Sequence, residues 1–245
     1  MWEVTLDRPP VNAVNQEMYR EIKALFDELS TDSSVDVVIL AGAGKHFCAG
    51  NDLDEFMTLS PQNSPARMQE VREAFEAIYD CAVPVIAAVQ GTAVGTGLSL
   101  LACCDFAIGS EDARIGVPEV SVGVMGAANH LSRLMPQPLV RSMYFTADPL
   151  PAAEFARFGG LIAVVERDRL TAEARGWAAK IARHSSQAIR YAKRGLNQIE
   201  PMELKEGYQF EQGLTGELSG HPDSKEALKA FFERREPRYE RPSRD

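Results

Sequence analysis

Basic charge is in short supply in this sequence. Its 26 Lys and Arg stand against 35 Asp and Glu, a net charge of −9. That balance argues against a general nucleic-acid binder or an anionic-membrane binder, since both need a basic surface. Long apolar runs are missing too, so no segment is expected to span a bilayer. The start, Met1-Trp2-Glu3-Val4, has neither a basic stretch nor an apolar one of the kind that opens a secretory signal. Cysteine is sparse: Cys48, Cys81, Cys103 and Cys104 form no CxxC pair and read as small buried apolar residues. A reducing cytoplasm is the expected compartment. The four histidines, His46, His130, His184 and His221, make no HxH, HExxH or Cys/His spacing, so no metal site is expected. Surface or capping roles suit them, His46 standing just before a glycine turn and His130 beginning a helix near the candidate pocket. No GxGxxG or Walker A sequence occurs, no repeat of fixed period is found, and no Pro/Gly/Ser-rich linker divides the chain.

What is present is an ordinary globular composition, 45% hydrophobic and 25% charged. The first part alternates strands and helices, which indicates α/β architecture. Strands are expected at 3–6, 35–42 and 84–91, with short candidates in "DFAIGS", "ARIGVPE" and 159–166. A helix follows "RPPVNAVN", with Asn15 as its N-cap and Met18, Ile22, Leu25, Phe26 and Leu29 at helical spacing. Another covers 65–80, and "GTGLSLLACC" opens a third. Helical patterns dominate later, at 168–183, 185–199 and 223–235. Their apolar stripes need either the core or a neighbouring subunit to cover them. The expected division is a core at 1–184 and a helical region at 185–245, ending in a polar tail.

Two segments set a glycine turn between a buried strand and a helix: Cys48-Ala49-Gly50-Asn51-Asp52-Leu53 and Gly91 to Ser99. Free N–H groups occur at helix starts. Two such starts meeting in space would hold a negative oxygen, although each turn alone is better explained by close strand–helix packing. A third segment puts Glu119 after Pro118, between Val117 and Val120. A carboxylate among apolar neighbours is costly unless paired or functional, and burial would raise its pKa toward the range useful for proton transfer. An exposed loop carboxylate is the competing reading.

Together these segments resemble the crotonase (enoyl-CoA hydratase/isomerase) superfamily. The similarity runs from "LDRPPVNAVN" through "GAGKHFCAGNDL" and "PVIAAVQGTAVGTGLSLLACCDFAIGSEDARIGVPEVSVGV" to "ARFGGLIAVVE" and "DSKEALKAFFERREP". The resemblance implies a spiral of ββα turns with a helical C-terminal region that drives trimer formation, as a homotrimer or a homohexamer. It implies an acyl-CoA substrate whose carbonyl oxygen is held by the backbone N–H groups of Asn51 and Thr96. Glu119 is then the acid/base. Asp52 is expected to cap a helix rather than do chemistry. Pro10, Ala13, Ala49 and Leu53 would line the coenzyme A path, and Phe231 and Arg234 match positions that can reach a neighbour's coenzyme A. No cofactor is implied beyond the coenzyme A of the substrate.

The chain departs from the pattern in two places. Typical hydratases of the family carry a second glutamate where this chain has Ser99, which can seat a water but is a poor base. "GVMGAANHL" also replaces the usual Pro-Gly-Ala-Gly-Gly. Glu119 alone must then do most of the proton work, a pattern shared with some Δ3,Δ2-enoyl-CoA isomerases, while serine at position 99 also resembles hydroxycinnamoyl-CoA hydratase-lyases. Two rivals come from other classes. One is a serine hydrolase, although Gly95-Thr96-Gly97-Leu98-Ser99 is not GxSxG. The other is a non-catalytic acyl-CoA-binding or RNA-binding relative, the RNA version being disfavoured by the acidic charge.

Overall fold

The structure, a computed structural model, describes residues 1–126 and 128–239. Ala127 of the atypical 126–130 stretch, and residues 240–245 of the polar tail, lie outside them.

Strands β1 (Trp2–Leu6), β2 (Val38–Gly42), β3 (Val85–Val89), β5 (Phe106–Ser110) and β8 (Ala163–Val165) form a five-stranded sheet in the order β1-β2-β3-β5-β8, parallel throughout. Strands β4 (Thr92–Val94), β6 (Arg114–Gly116) and β7 (Leu150–Pro151) form a second, three-stranded sheet. Isolated parallel bridges, Cys48 to Ala93 and Val14 to Asn51, extend this second layer back along the chain. The passes that begin with β1, β2, β3 and β5 therefore each lay a strand in the large sheet, a short extended piece in the second layer, and then a helical segment. This is the expected spiral.

The central strands of the large sheet are covered on both faces, so β3 (Val85-Ile86-Ala87-Ala88-Val89) is apolar and buried at every position, whereas the edge strand β1 alternates, with Glu3 and Thr5 exposed. On one face Val38, Leu40, Val85, Ala87 and Val89 pack in a cluster with Phe26, Leu29 and Ile78. Those three come from helices α1 (Gln16–Thr31) and α3 (Ser64–Tyr79). On the other face Val37, Ile39, Ile86, Ala88 and Ile108 meet Leu170, Ala174 and Ala178 of the later helix Leu170–Ala182. Phe26, Leu40 and Ile86 are fully buried. Removing such a side chain from water stabilises by about 1.5–3 kcal/mol.

Between α1 and α3 lies the one-turn helix α2 (Leu53–Phe56), and α4 (Thr96–Cys103) follows β4. After a 3-10 turn at Glu119–Val122 come α5 (Ala128–Leu134), α6 (Gln137–Thr146) and α7 (Ala152–Arg157), then α8 (Leu170–Ala182). The C-terminal part is α9 (Ser186–Ile199), α10 (Leu204–Ser219) and α11 (Pro222–Glu233). Helix α9 is fastened to the core. Arg190 donates to the carbonyls of Ser30, Asp32 and Val35, and buried Lys193 contacts both Asp105 oxygens at 2.8 Å. Among the described residues no helix is long and apolar enough to cross a membrane.

Three expectations are corrected. The strand expected at 84–91 is present as β3, but the helix expected to open at Gly91 is preceded by a further strand, because Gly91 turns the chain out of the large sheet and into the small one at β4. The strand expected at 159–166 shrinks to the three residues of β8. Helix α10 has no counterpart in the sequence reading. Gly207, Gly213 and Gly216 lower its intrinsic propensity, and packing overrides that deficit: Gly207 lies against Ile199 and Met202 at distances a methyl group would bring to 3.4 and 3.7 Å.

Candidate active site

The turn at residues 8–14 is held against the loop 42–52 by a buried asparagine. Asn12 Nδ2 donates to the carbonyls of Ala43 (3.0 Å) and His46 (2.8 Å), and Ala49 N–H donates to Val11 O at 3.0 Å. The loop then docks on β4: Cys48 N–H donates to Thr92 O at 3.0 Å, and Val94 N–H donates to Cys48 O at 3.1 Å. His46 helps here as a structural acceptor, its Nδ1 taking the Thr92 N–H at 3.1 Å. One step further on, Val14 N–H donates to Gly50 O and Asp52 N–H to Val14 O, both at 2.9 Å. These bonds are made by the two neighbours of Asn51, so the N–H of Asn51 itself takes no part in the pairing.

The second donor is Thr96, the first residue of α4. Gly95, its N-cap, has φ +57°, a left-handed conformation natural to glycine. The first N–H groups of a helix have no intrahelical acceptor, and the first turn closes only with Ser99 N–H to Gly95 O at 3.0 Å. Gly97 lets α4 begin directly against the other loop: a methyl group there would sit 2.2 Å from Cys48 O. The two glycine turns are thus in contact. A methyl group on Gly95 would lie 3.7 Å from Gly50 Cα and 3.4 Å from Glu119 Oε1.

Glu119 opens the 3-10 turn that follows β6. Its Oε1 lies between Gly95 and Gly126, and its Oε2 is buried without a hydrogen-bond partner. Burial raises the carboxyl pKa above the ordinary glutamate value. The 124–126 loop above it is held by Tyr144, whose hydroxyl oxygen accepts the Gly126 N–H at 3.0 Å.

Sequence reasoning therefore located residues that do come together: Asn51, Thr96 and Glu119 surround one spot. Ser99 sits one turn into α4, 2% exposed, and its hydroxyl donates to Gly95 O at 3.4 Å. Asp52 caps α2 through Glu55 N–H at 3.1 Å and pairs with Arg8. These contacts, the helix backbone first, hold its pKa below the usual carboxylate value. Ala13 and Ala49 belong to the two segments docked on each other, Ala13 O accepting from Arg8 at 3.0 Å, while Pro10 and Leu53 are exposed beside them. Phe231 and Arg234 stand apart: both are exposed, and α11 packs on α9 and α10.

His130, placed near the pocket by its position in the sequence, is defined here by its contacts, and Tyr19 is the feature that the sequence did not reveal. His130 stacks edge-on against Phe75 with ring centres 5.3 Å apart, and burial followed by the Arg133 charge lowers its pKa, which favours a neutral ring. Tyr19 is 2% exposed, and its hydroxyl donates to Asn51 Oδ1 at 2.7 Å and lies 2.9 Å from Thr96 Oγ1. A signal existed for it. Tyr19 shares a helix face with Ile22 and Phe26, and a phenol on a buried face needs a polar partner.

Two main-chain donors from separate segments, beside a carboxyl of raised pKa, can polarise a carbonyl and move a proton near it. Comparison with known proteins bears on the family. The family model described as enoyl-CoA hydratase/isomerase matches residues 1–242. The chain is 39% identical, over 96% of its length and 92% of the relative's, to "(7aS)-7a-methyl-1,5-dioxo-2,3,5,6,7,7a-hexahydro-1H-indene-carboxyl-CoA hydrolase" of Rhodococcus jostii (strain RHA1). It is 34% identical, over 95% of its length and 91% of the relative's, to the short-chain-enoyl-CoA hydratase of Clostridium acetobutylicum. The crystal structure of an enoyl-CoA hydratase from Mycobacterium smegmatis superposes with a TM-score of 0.94 at 29% identity, covering 97% of this chain and 94% of that one.

Proposed function

This chain belongs to the enoyl-CoA hydratase/isomerase family of the crotonase superfamily, and we propose that it acts on an unsaturated acyl-CoA thioester with Asn51 and Thr96 N–H as the oxyanion hole and Glu119 as the sole acid/base. The observation that carries this reading is the Glu119 carboxyl. It lies against the Gly95 turn, which itself touches the Gly50 turn, with one oxygen buried and unpartnered.

In the hydratase version the two N–H groups polarise the thioester carbonyl. Glu119 takes a proton from water as that water adds at C3, and then gives that proton to C2 of the resulting enolate. In the isomerase version Glu119 removes a proton from C2 and returns it at C4. Either way the negative oxygen forms between fixed dipoles that need not reorient, and losing one such donor typically costs roughly 3 kcal/mol. Ser99 is assigned to seating the water, with its hydroxyl turning from Gly95 O to do so. The steps draw only on main-chain donors and one carboxyl, with coenzyme A entering as part of the substrate along Pro10, Ala13, Ala49 and Leu53. We assign residues 1–184 to the acyl-CoA core and 185–245 to assembly as a trimer or a pair of trimers. Exposed Leu196, Leu204, Tyr208, Phe231 and Phe232 in that second region suit it, and Phe231 and Arg234 would then face a neighbour's coenzyme A.

A second reading is favoured by the relatives named as hydrolases of a bicyclic dioxo carboxyl-CoA, 39% and 41% identical. There the same Glu119 would direct water at a ring ketone carbon instead of C3, the ring bond from that carbon to its neighbouring carbon breaking and the proton taken from water passing to that neighbour. Incubation with 2-enoyl-CoA and 3-enoyl-CoA of several lengths, and with a cyclic ketone carried on CoA, decides by product mass and by the substrate consumed. Hydration adds water to an enoyl chain, isomerisation leaves its mass unchanged, and hydrolysis consumes a substrate with no carbon–carbon double bond. Turnover of none of these by the wild-type protein would defeat the enzyme reading.

A further inference from the structure

The proposed donors lie 45 positions apart in the chain, at Asn51 and Thr96, and a third element joins them through their side chains. The Tyr19 hydroxyl, from the buried face of α1, contacts Asn51 Oδ1 at 2.7 Å and Thr96 Oγ1 at 2.9 Å. The direction of this relay follows from the groups. A carboxamide oxygen only accepts, so the one phenolic proton goes to Asn51, and the Thr96 hydroxyl must then donate to Tyr19. Burial pushes the Tyr19 pKa above its ordinary value, so the phenol stays protonated and the direction does not reverse. The ring is held independently by an edge contact to Phe75, with centres 6.0 Å apart.

We propose that Tyr19 is a positioning residue that clamps the two halves of the oxyanion hole, fixing the separation of the Asn51 and Thr96 N–H groups through a Thr96–Tyr19–Asn51 hydrogen-bond relay. The inference rests on the reading of those two N–H groups as oxyanion donors. Main-chain bonds tie the loops together one residue or more before the donors, at Cys48 and Val94; the relay acts at the donor residues themselves. A donor that drifts loses its advantage over water, because preorganisation is what makes it effective.

Tyr19→Phe removes the hydroxyl and leaves the ring on Phe75. In the full-length protein its kcat is expected to fall about tenfold, with KM changed less than about twofold, since ground-state contacts to the thioester are kept. A probe without turnover reads the same effect. Acetoacetyl-CoA enolises on the carbon chain, and the ultraviolet band of its enolate reports stabilisation of the negative oxygen. Wild type should strengthen that band on binding, and Tyr19→Phe should weaken it. Thr96→Val, which cuts the relay from the other end and keeps the main-chain N–H, should reproduce the loss, while Thr96→Ser restores it. Wild-type kcat and enolate band in both Tyr19→Phe and Thr96→Val, with Glu119→Gln inactive, would overturn the clamp and leave the oxyanion reading intact. Absence of an enolate band in the wild-type protein would overturn both.

Discussion

On one wall of the site the backbone is cross-bonded at almost every step: Ala49 to Val11, Cys48 to Thr92, Val94 to Cys48, and Gly95 N–H to Gly116 O at 3.0 Å. On the facing wall Glu119 begins a single 3-10 turn that ends at Val122, which is 60% exposed, and Met125 beyond it is 80% exposed. Its ties are few, chiefly Val124 N–H to Glu119 O at 3.1 Å and Gly126 N–H to Tyr144. The difference matches the two tasks proposed. A donor aimed at a developing charge works by not moving. A carboxyl that takes a proton from one atom and returns it to another must reach both, and a short turn with few ties allows that.

The sharpest way to break the comparison is to disable one wall's chemistry without touching the other. Glu119→Gln keeps size and removes the titrating group. Its kcat should drop by about 10²–10⁴-fold, the range of a general acid/base, while acetoacetyl-CoA still binds on the donor wall. A variant that retains turnover would move the proton work elsewhere and reduce Glu119 to a lining residue.

Next in size is Gly97→Ala, which strikes the rigid wall. The added methyl group meets Cys48 O at 2.2 Å, so α4 must shift away from the loop that carries Asn51. Overpacking of this kind costs about 1–3 kcal/mol, which a urea titration will show, and kcat should fall along with stability. Tyr144→Phe strikes the looser wall and should do less. It leaves Gly126 N–H without its acceptor, a loss of about 1 kcal/mol, and lowers kcat several-fold by freeing the loop over the carboxyl. Equal losses in the two variants would contradict the claim that the walls differ in rigidity.

This asymmetry also marks what the sequence could and could not reveal. Strands β2 and β3 were legible because burial on both faces leaves an unbroken apolar run, and the Asn15 cap was legible because Asn15 Oδ1 needs only the nearby Met18 N–H, at 2.9 Å. Glu119 stood out against its valine neighbours. The Tyr19 relay was not legible, since it links positions 19, 51 and 96 only through the tertiary fold. Nor was α10, whose glycines argue against a helix until Ile199 and Met202 are seen packed against one of them. The apolar faces of the C-terminal helices were visible as stripes, but not their division into parts that cover the core and parts left exposed.

The smallest effect is in the dependence of stability on pH, and it tests whether the Glu119 carboxyl is desolvated as strongly as its unpartnered oxygen implies. Burial raises its pKa in the folded state, so the native protein holds this proton to higher pH than the unfolded chain does. The sign follows from linkage: the contribution favours folding fully below the unfolded glutamate pKa and is lost as pH rises through the raised folded value. Wild type should therefore lose stability relative to Glu119→Gln across that window, measured as the difference in their urea midpoints. The same titration should appear as the acid limb of kcat/KM, which climbs with pH as the base form of Glu119 appears and has its midpoint above the ordinary glutamate range. Asp52 gives an internal contrast, since its capping and Arg8 contacts lower its pKa. Its contribution is present above the unfolded aspartate pKa and fades only as pH falls through the depressed one. A stability difference between wild type and Glu119→Gln that stays flat from acid to neutral pH would mean that the carboxyl is well solvated, and the facing wall is then more open than its buried oxygen suggests.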